Sequence, residues 1–377
     1  MTDLVRQEIA AAAKRIVVKV GTRVLTGDDG QLNLNRIHHL ALQLHQIGVA
    51  GKDVILVSSG AVGAGMGKLG LTNRPSDLSR LQAVAAVGQT ALMKEYEQVF
   101  SDHDRTAAQV LLTAKDLDDR AGYLNVRNTL LSLLDIGIIP IVNENDTVSV
   151  DELKTTFGDN DRLAALVSNL VGADLLIILS NVDGLFDGPP DEESTRRIPL
   201  VKDIASASGE FVHDQHNQLS RGGMASKLDA ATVITNAGEN MIIANGKVDN
   251  VLIDILAGND VGTLFMAKSE TMSSWKRWLR FSAQPRGSIA LDQGACEAVS
   301  KQGGSILSIG ITAVDGEFTK GDAVLIIDMD GNEIARGLTN YDASEVQQIK
   351  GLSSDRILET LGYRPYDEVV HRDNIAM

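Results

Sequence analysis

The chain has 377 residues, 44% of them apolar and 23% charged, with 35 glycines and 7 prolines, so it can bury two or three ordinary domain cores and is neither disordered nor collagen-like. Its 35 Lys and Arg against 50 Asp and Glu leave a net charge of −15, which argues against general binding of nucleic acid or anionic membrane but leaves room for a local anion pocket. The single Cys296 excludes an internal disulfide framework and a thiolate-rich metal site.

The opening stretch MTDLVRQEIAAAAKR mixes acids and bases and lacks the apolar core of a secretion signal, so a cytoplasmic location is expected. Short apolar runs then predict buried strands at Arg15–Val20, Asp53–Val57, Ala107–Leu112, Ile138–Val142, Leu175–Leu179 and Met241–Ala244. Between them, Ile37, Leu40, Leu44 and Ile47 share one helical face, with Gly48 placed to end that helix. Leu163, Leu166, Val167 and Leu170 make a second such face, closed by Gly172. The run LVGADLLIIL is broken by Gly172 and Asp174 and is too short to span a bilayer. Strands apolar on both faces and separated by helices predict an α/β fold with an open, mainly parallel sheet sandwiched by helices. In such sheets ligands bind beyond the carboxyl ends of the strands.

The texture changes at Trp275. Residues 275–285, which include Trp278 and Pro285, read as a linker, and residues 286–370 as a small β-rich domain. Its predicted strands, Ser288–Leu291, Val324–Ile327 and Ile334–Leu338, are separated by turns at Asp315-Gly316, Lys320-Gly321 and Asp330-Gly331. Residues 1–274 would form the larger domain.

Four polar clusters follow predicted strands. Lys19 stands just before a strand's terminal Val-Gly, although a strand-end lysine by itself usually snorkels to solvent. In VSSGAVGAGMGKLG, Ser58 and Ser59 offer hydroxyls, while Gly60, Gly63, Gly65 and Gly67 let backbone N–H groups approach an anion. Neither common nucleotide-loop spacing fits it, and tight packing would account for the glycines equally well. Asn143, Glu144, Asn145 and Asp146 follow the fourth strand, and Asp159, Asn160 and Asp161 precede a helix. A helix cap explains one of these three residues but not the gathering. Last, Ser180 and Asn181 end a strand, and Gly222 and Gly223 precede a helix whose first turn presents Lys227. Two lysines, glycine turns and several carboxylates at one sheet edge are what phosphoryl transfer needs, since that chemistry is mostly positioning and fixed positive charge. A carboxylate between the two lysines would hold them apart and oriented. His213 and His216 lack the further ligands that a metal pair would require.

The motifs VVKVGTRVL, VSSGAVGAGMGKLG, LLTAKDLDDR, IVNENDTV, GDNDRLAAL and GGMASK, in this order, resemble the glutamate 5-kinases of the amino-acid kinase superfamily. The tail FTKGDAVLIIDMDGNEIARGLTNY is similar to a PUA domain. The resemblance implies ATP- and Mg²⁺-dependent phosphorylation of the side-chain carboxylate of L-glutamate, the first step of proline biosynthesis, with proline as feedback inhibitor. It further implies a homo-oligomer, dimer or tetramer, and functional coupling to glutamyl-phosphate reductase. Carried over by position, Lys19 and Lys227 flank the transferring phosphoryl group and Asp161 organises them. Lys19, Ser180, Asn181, Arg221, Gly222, Gly223, Met224, Ala225, Ser226 and Lys227 line the ATP site. Ser59, Gly60, Asn143, Asp146 and Asn160 hold glutamate. Ser180-Asn181 stands where the family often has Thr-Asp, and Arg221 where it has a small residue, so nucleotide recognition departs there in detail.

Two other readings share part of this pattern. A sibling kinase acting on N-acetylglutamate, aspartate, carbamate or UMP would use the same lysines and glycines, although Asp146 suits a free amino group. An RNA-binding protein would use the PUA-like tail. That tail, from Gln284 onward, carries eight Lys/Arg against fifteen Asp/Glu, a net −7 that suits phosphate backbones poorly.

Overall fold

The computed structural model describes residues 4–27, 31–148, 160–189, 192, 194–204, 223–268 and 274–377. They fall into two compact units, residues 1–117 with 121–271 and residues 118–120 with 272–377. Along the chain the first part runs α1 (Leu4–Ala12), β1 (Arg15–Val20), α2 (Thr22–Leu25), α3 (Leu34–Val49), β2 (Asp53–Ser58), α4 (Ala61–Leu69), α5 (Leu78–Ser101), β3 (Ala107–Leu112), α6 (Ala114–Asp118), α7 (Arg120–Asp135), β4 (Ile139–Glu144), α8 (Asn160–Val171), β5 (Leu175–Ser180), β6 (Leu200–Val201), α9 (Met224–Asn236), β7 (Asn240–Asn245), α10 (Val251–Leu256) and β8 (Thr263–Phe265).

The described strands build an eight-stranded sheet in the order β3-β4-β2-β1-β5-β7-β8-β6. Every pairing is parallel except β7 with β8. In the central strands the apolar runs are continuous because helices cover both faces, as the run LLIILS of β5, buried at every position, illustrates. Side chains alternate between faces along each strand. Ile16, Val18 and Val20 of β1 join a core with Leu40, Leu44 and Ile47 of α3, Leu92 and Tyr96 of α5, and Leu252 and Ile255 of α10. Each such aliphatic side chain contributes about 1.5–3 kcal/mol when fully buried. Lys19 belongs to the opposite set. The register brings the strand ends level: Val20 lies opposite both Ser58 and Leu179, Val57 opposite Val142, and Ser180 opposite Asn245.

Three local expectations shift. Gly48 lies inside α3, which continues to Val49 and gives way to Gly51 at φ +81°, a conformation glycine adopts without strain. Strand β4 starts one residue late and continues through Asn143 and Glu144, which pair with Leu111 and Leu112 of β3. The glycine string 60–70 is largely helix α4 and not an open loop. Only Gly60, at φ +110°, stands at the helix start as its N-cap. Gly65 is needed for packing: a Cβ there would come within 1.9 Å of the Val84 carbonyl of α5, and one on Gly88 within 1.7 Å of the Ala61 carbonyl.

In the second unit, α11 (Ser274–Arg277) runs into a π turn at Trp278–Ser282, with Trp278 and Leu279 buried. Strand β9 (Gly287–Leu291) is followed by α12 (Gln293–Gln302), β10 (Ile306–Leu307), β11 (Ile311–Gly316), β12 (Ala323–Ile327), β13 (Glu333–Leu338), α13 (Ala343–Ile349), α14 (Ile357–Leu361), β14 (Glu368–Val370) and β15 (Ile375–Ala376). Five of these strands form a sheet in the order β11-β9-β12-β13-β15, and β10 pairs with β14. Gly316, Gly321 and Gly331 all take positive φ at the three turns expected from sequence. Among the described residues no helix is long and apolar enough to cross a membrane.

Candidate active site

Strand β1 delivers Lys19 one residue before its end, and α8 starts beside it with Asp161 in its first turn. Helix α9 begins at Met224 and brings Lys227 to the same place from the far side of the sequence. The Lys19 ammonium lies 2.5 Å from Asp161 Oδ1, and the Lys227 ammonium 3.0 Å from Asp161 Oδ2. All three side chains are buried, that of Asp161 completely. Burial pushes the Asp161 carboxyl up, but the Lys19 and Lys227 ammoniums outweigh it and hold the group below its ordinary value. The Ser226 hydroxyl has one proton to share between the Gly223 carbonyl at 2.9 Å and Asp161 Oδ2 at 3.2 Å. Lys227 also reaches that carbonyl, at 3.5 Å.

Two cations on one carboxylate make a buried cluster of net charge +1. Such a cluster is costly to bury and is held together by its mutual attraction, so removing one partner would cost about 3–5 kcal/mol. Each lysine engages a different oxygen of the carboxylate between them. A side chain at Gly21, just past β1, would come within 3.7 Å of the Lys19 ammonium, which therefore sits at the carboxyl edge of the sheet.

Beside this centre lies a second group of polar side chains. Asn160, the first residue of α8, turns its amide across the strand ends instead of capping its own helix. Its Nδ2 donates to Ser59 Oγ at 2.8 Å, to Asn143 Oδ1 at 2.9 Å and more weakly to the Ser58 carbonyl at 3.4 Å. Asn143 Oδ1 also accepts the Glu144 N–H at 2.9 Å. Asp146 is half-buried just beyond β4, and burial, reinforced by Glu144 and opposed by Arg74, pushes its carboxyl up to about 6.

The structure thus brings together Lys19, Asp161, Ser226 and Lys227 on one side, and Ser59, Asn143 and Asn160 on the other, with Asn160 and Asp161 adjacent in the chain. Gly60 follows Ser59 at the start of α4, and Gly223, Met224 and Ala225 form the entry to α9. Ser180 and Asn181 lie at the end of β5, two strand-ends from Ser58 in the same row, with the Ser180 hydroxyl 3.5 Å from Asn181 Oδ1. Asp159, Arg221, Gly222, His213 and His216 lie outside the described residues.

Two participants escaped sequence reading. Gln89 and Tyr96 of α5 are seven residues apart and so share a helix face with Leu92. Gln89 Oε1 accepts from Asn143 Nδ2 at 2.8 Å, and the Tyr96 hydroxyl meets Ser58 Oγ at 3.1 Å. The available signal was the presence of polar groups in an otherwise apolar helical stripe.

Residues 14–245 match the model of the amino acid kinase family, and residues 287–361 that of the PUA domain. A glutamate 5-kinase of Rhodopirellula baltica is 48% identical over 373 residues, covering 99% of this chain and 96% of that protein. The chain belongs to the amino acid kinase family, in its glutamate 5-kinase branch. A second glutamate 5-kinase, from Caldanaerobacter subterraneus subsp. tengcongensis, is 47% identical across 96% of this chain and 97% of its own length. Among solved structures, the carbamate kinase of Giardia lamblia bound to AMP-PNP superposes with a TM-score of 0.50 at 19% identity, covering 68% of this chain and all of that one. At that identity the likeness speaks for the fold alone, and the fold agrees with the open parallel sheet expected from sequence.

Proposed function

We infer that the protein uses ATP to phosphorylate the side-chain carboxylate of L-glutamate, giving L-glutamyl 5-phosphate at the head of proline biosynthesis. The observation that carries the reading is the buried Lys19–Asp161–Lys227 cluster at the carboxyl edge of the sheet. A transferring phosphoryl group spreads negative charge over its oxygens, and two fixed ammoniums answer that charge without reorganising. In the reaction a side-chain carboxylate oxygen forms a bond to the γ-phosphorus while the bond from that phosphorus to the β-bridging oxygen breaks, and ADP leaves with the electron pair. The attacking carboxylate is already ionised near neutral pH, so no general base is required.

The roles proposed here are those that the family resemblance implies. Lys19 and Lys227 flank the moving phosphoryl group, with Lys19 also touching ATP. Asp161 keeps them apart and oriented. Ser180, Asn181 and the stretch from Arg221 to Lys227 line the nucleotide. Ser59, Gly60, Asn143, Asp146 and Asn160 hold glutamate, Asp146 answering its ammonium. Among the described residues no group of three or more His, Cys, Asp and Glu side chains is disposed to cage a metal, and Asp161 is already engaged by two lysines. Mg²⁺ fits here as an ion carried by the ATP phosphates, a habit consistent with its reluctance to shed water, and it would neutralise phosphate charge.

Residues 1–274 carry this chemistry, 275–285 connect, and 286–370 form the PUA domain. Proline as inhibitor, assembly as a dimer or tetramer, a cytoplasmic location and hand-over to glutamyl-phosphate reductase complete the proposal. Trapping the product with hydroxylamine tests it: hydroxamate should form only when glutamate, ATP and Mg²⁺ are all present, and less should form when proline is added. Equal hydroxamate yield from N-acetylglutamate would move the reading to a sibling kinase.

A further inference from the structure

The strongest unassigned feature is the buried polar contact between α5 and the glutamate side of the site. Gln89 is 8% exposed and Asn143 3% exposed, so both amides sit away from water. Gln89 Nε2 has no hydrogen-bond partner among the described residues. An unpaired buried donor of this kind costs stability, and a leucine or methionine in the same stripe would avoid that cost. What the Gln89 side chain does engage is Asn143, whose Nδ2 donates to Gln89 Oε1 at 2.8 Å.

That bond and the Glu144 backbone N–H together set the polarity of everything beyond them. Asn143 Oδ1 accepts from the Glu144 backbone N–H and from Asn160 Nδ2, both at 2.9 Å. Its other end must therefore be the NH₂ group, and Gln89 supplies the acceptor that this group needs. With the Asn143 oxygen so oriented, Asn160 turns its own NH₂ inward, to Asn143 and to Ser59 Oγ. What remains of the Asn160 amide is its carbonyl oxygen, an acceptor, and what remains of Ser59 is its hydroxyl proton, a donor. An acceptor suits the ammonium of an amino acid, and a donor suits a carboxylate.

Helix α5 can supply Gln89 at this spot because its neighbour Gly88 permits the close crossing with α4. A Cβ on Gly88 would stand within 1.7 Å of the Ala61 carbonyl and 2.3 Å of the Gly65 nitrogen. The crossing sets Gln89 directly behind the strand ends that carry Ser58, Ser59 and Asn143.

We propose that Gln89 is a positioning residue for the acceptor substrate: through Asn143 it fixes which atoms of Asn160 and Ser59 are left to meet glutamate. This rests on the reading of the site as the glutamate site of a kinase. Gln89 bonds to Asn143 and not to Asp161 or the lysine pair, so its effect should be confined to one substrate.

Steady-state kinetics on the full chain, with ADP release as readout and thermal denaturation in parallel, test it through three proteins. In Gln89→Met, which keeps the bulk and removes the acceptor, KM for glutamate should rise about tenfold or more. KM for ATP should stay within about twofold, with kcat little changed. Gln89→Glu, which restores an acceptor oxygen at the same reach, should recover most of the lost affinity. The proposal is overturned if KM for glutamate in Gln89→Met stays within about twofold of wild type, or if both KM values rise together as the melting temperature falls. Should Gln89→Met not accumulate as folded protein, Gln89→Asn withdraws the acceptor by one methylene and carries the same two outcomes. A wild-type protein that releases no ADP in response to glutamate overturns the glutamate assignment itself, which separates that failure from a failure of the role given to Gln89.

Discussion

Lys19 and Lys227 stand on opposite oxygens of one buried carboxylate, although 208 positions separate them in the chain. One extends from the end of a central strand and the other from the first turn of a helix, and the shared carboxylate engages both ammoniums. The spacing of the two ammoniums is therefore a property of the fold, fixed before any nucleotide arrives.

Asp161→Asn tests whether the carboxylate, and not merely its shape, is needed. The amide is nearly isosteric but leaves two buried ammoniums facing each other with no counter-charge. Folding stability should fall by about 3–5 kcal/mol, as for other buried pairs broken on one side. Turnover should fall at least ~10²-fold, the scale of losing one preorganised charge interaction. Chemical denaturation and ADP-release assays check the two quantities separately, and wild-type stability in the Asp161→Asn variant would contradict the cluster's energetic role.

The pH dependence should report Asp146. Its carboxyl titrates near 6, raised by burial and by Glu144 against the pull of Arg74. Above that value it is ionised and can answer an ammonium; below it the charge is gone. So kcat/KM for glutamate should fall as pH drops through about 6, by about tenfold per unit, while the KM for ATP stays flat. The stability effect has the opposite sign. A raised folded-state pKa means stability is fully present at low pH and is lost as pH rises through about 6. Asp146→Asn should therefore flatten the kinetic profile at its low limb and raise the melting temperature at pH 8 by on the order of 2 °C. A kcat/KM profile unchanged by the substitution would remove Asp146 from glutamate binding.

Gly88→Ala examines the helix crossing. Its new methyl would meet the Ala61 carbonyl at 1.7 Å and the Gly65 nitrogen at 2.3 Å, both of them backbone atoms that cannot swing aside. Helices α4 and α5 would have to part, at a cost of about 1–3 kcal/mol or more. Gly70→Ala, where a Cβ meets nothing within 4 Å, is the matched comparison. Gly70 has φ +65°, so its substitution costs backbone strain alone. The expected ranking by thermal denaturation is wild type, then Gly70→Ala, then Gly88→Ala; the reverse order of the two variants would refute the close crossing.

How much of this was readable in the chain depended on range. The central strands were legible because burial on both faces writes continuous apolar runs such as RIVVKV and LLIILS. The end of β4 was not, because Asn143 and Glu144 look like loop residues until the edge strand β3 is known to pair with them. The glycines of α4 suggested an anion loop, a local explanation, whereas Gly65 answers to Val84 in a different helix. Lys19, Asp161 and Lys227 could be nominated from their places at strand and helix ends together with the family resemblance. Gln89 and Tyr96 could not, since a polar residue in an apolar stripe gains meaning only when its partner is in view.

The most direct measurement is the rate of glutamyl hydroxamate formation for wild type, Lys19→Ala, Lys227→Ala and the double variant, each confirmed folded. Each single change should cost at least ~10²-fold. The double variant should fall little further, because two groups serving one transition state are lost as a unit. Single variants that keep activity within about threefold of wild type would contradict the placement of the phosphoryl group between these lysines.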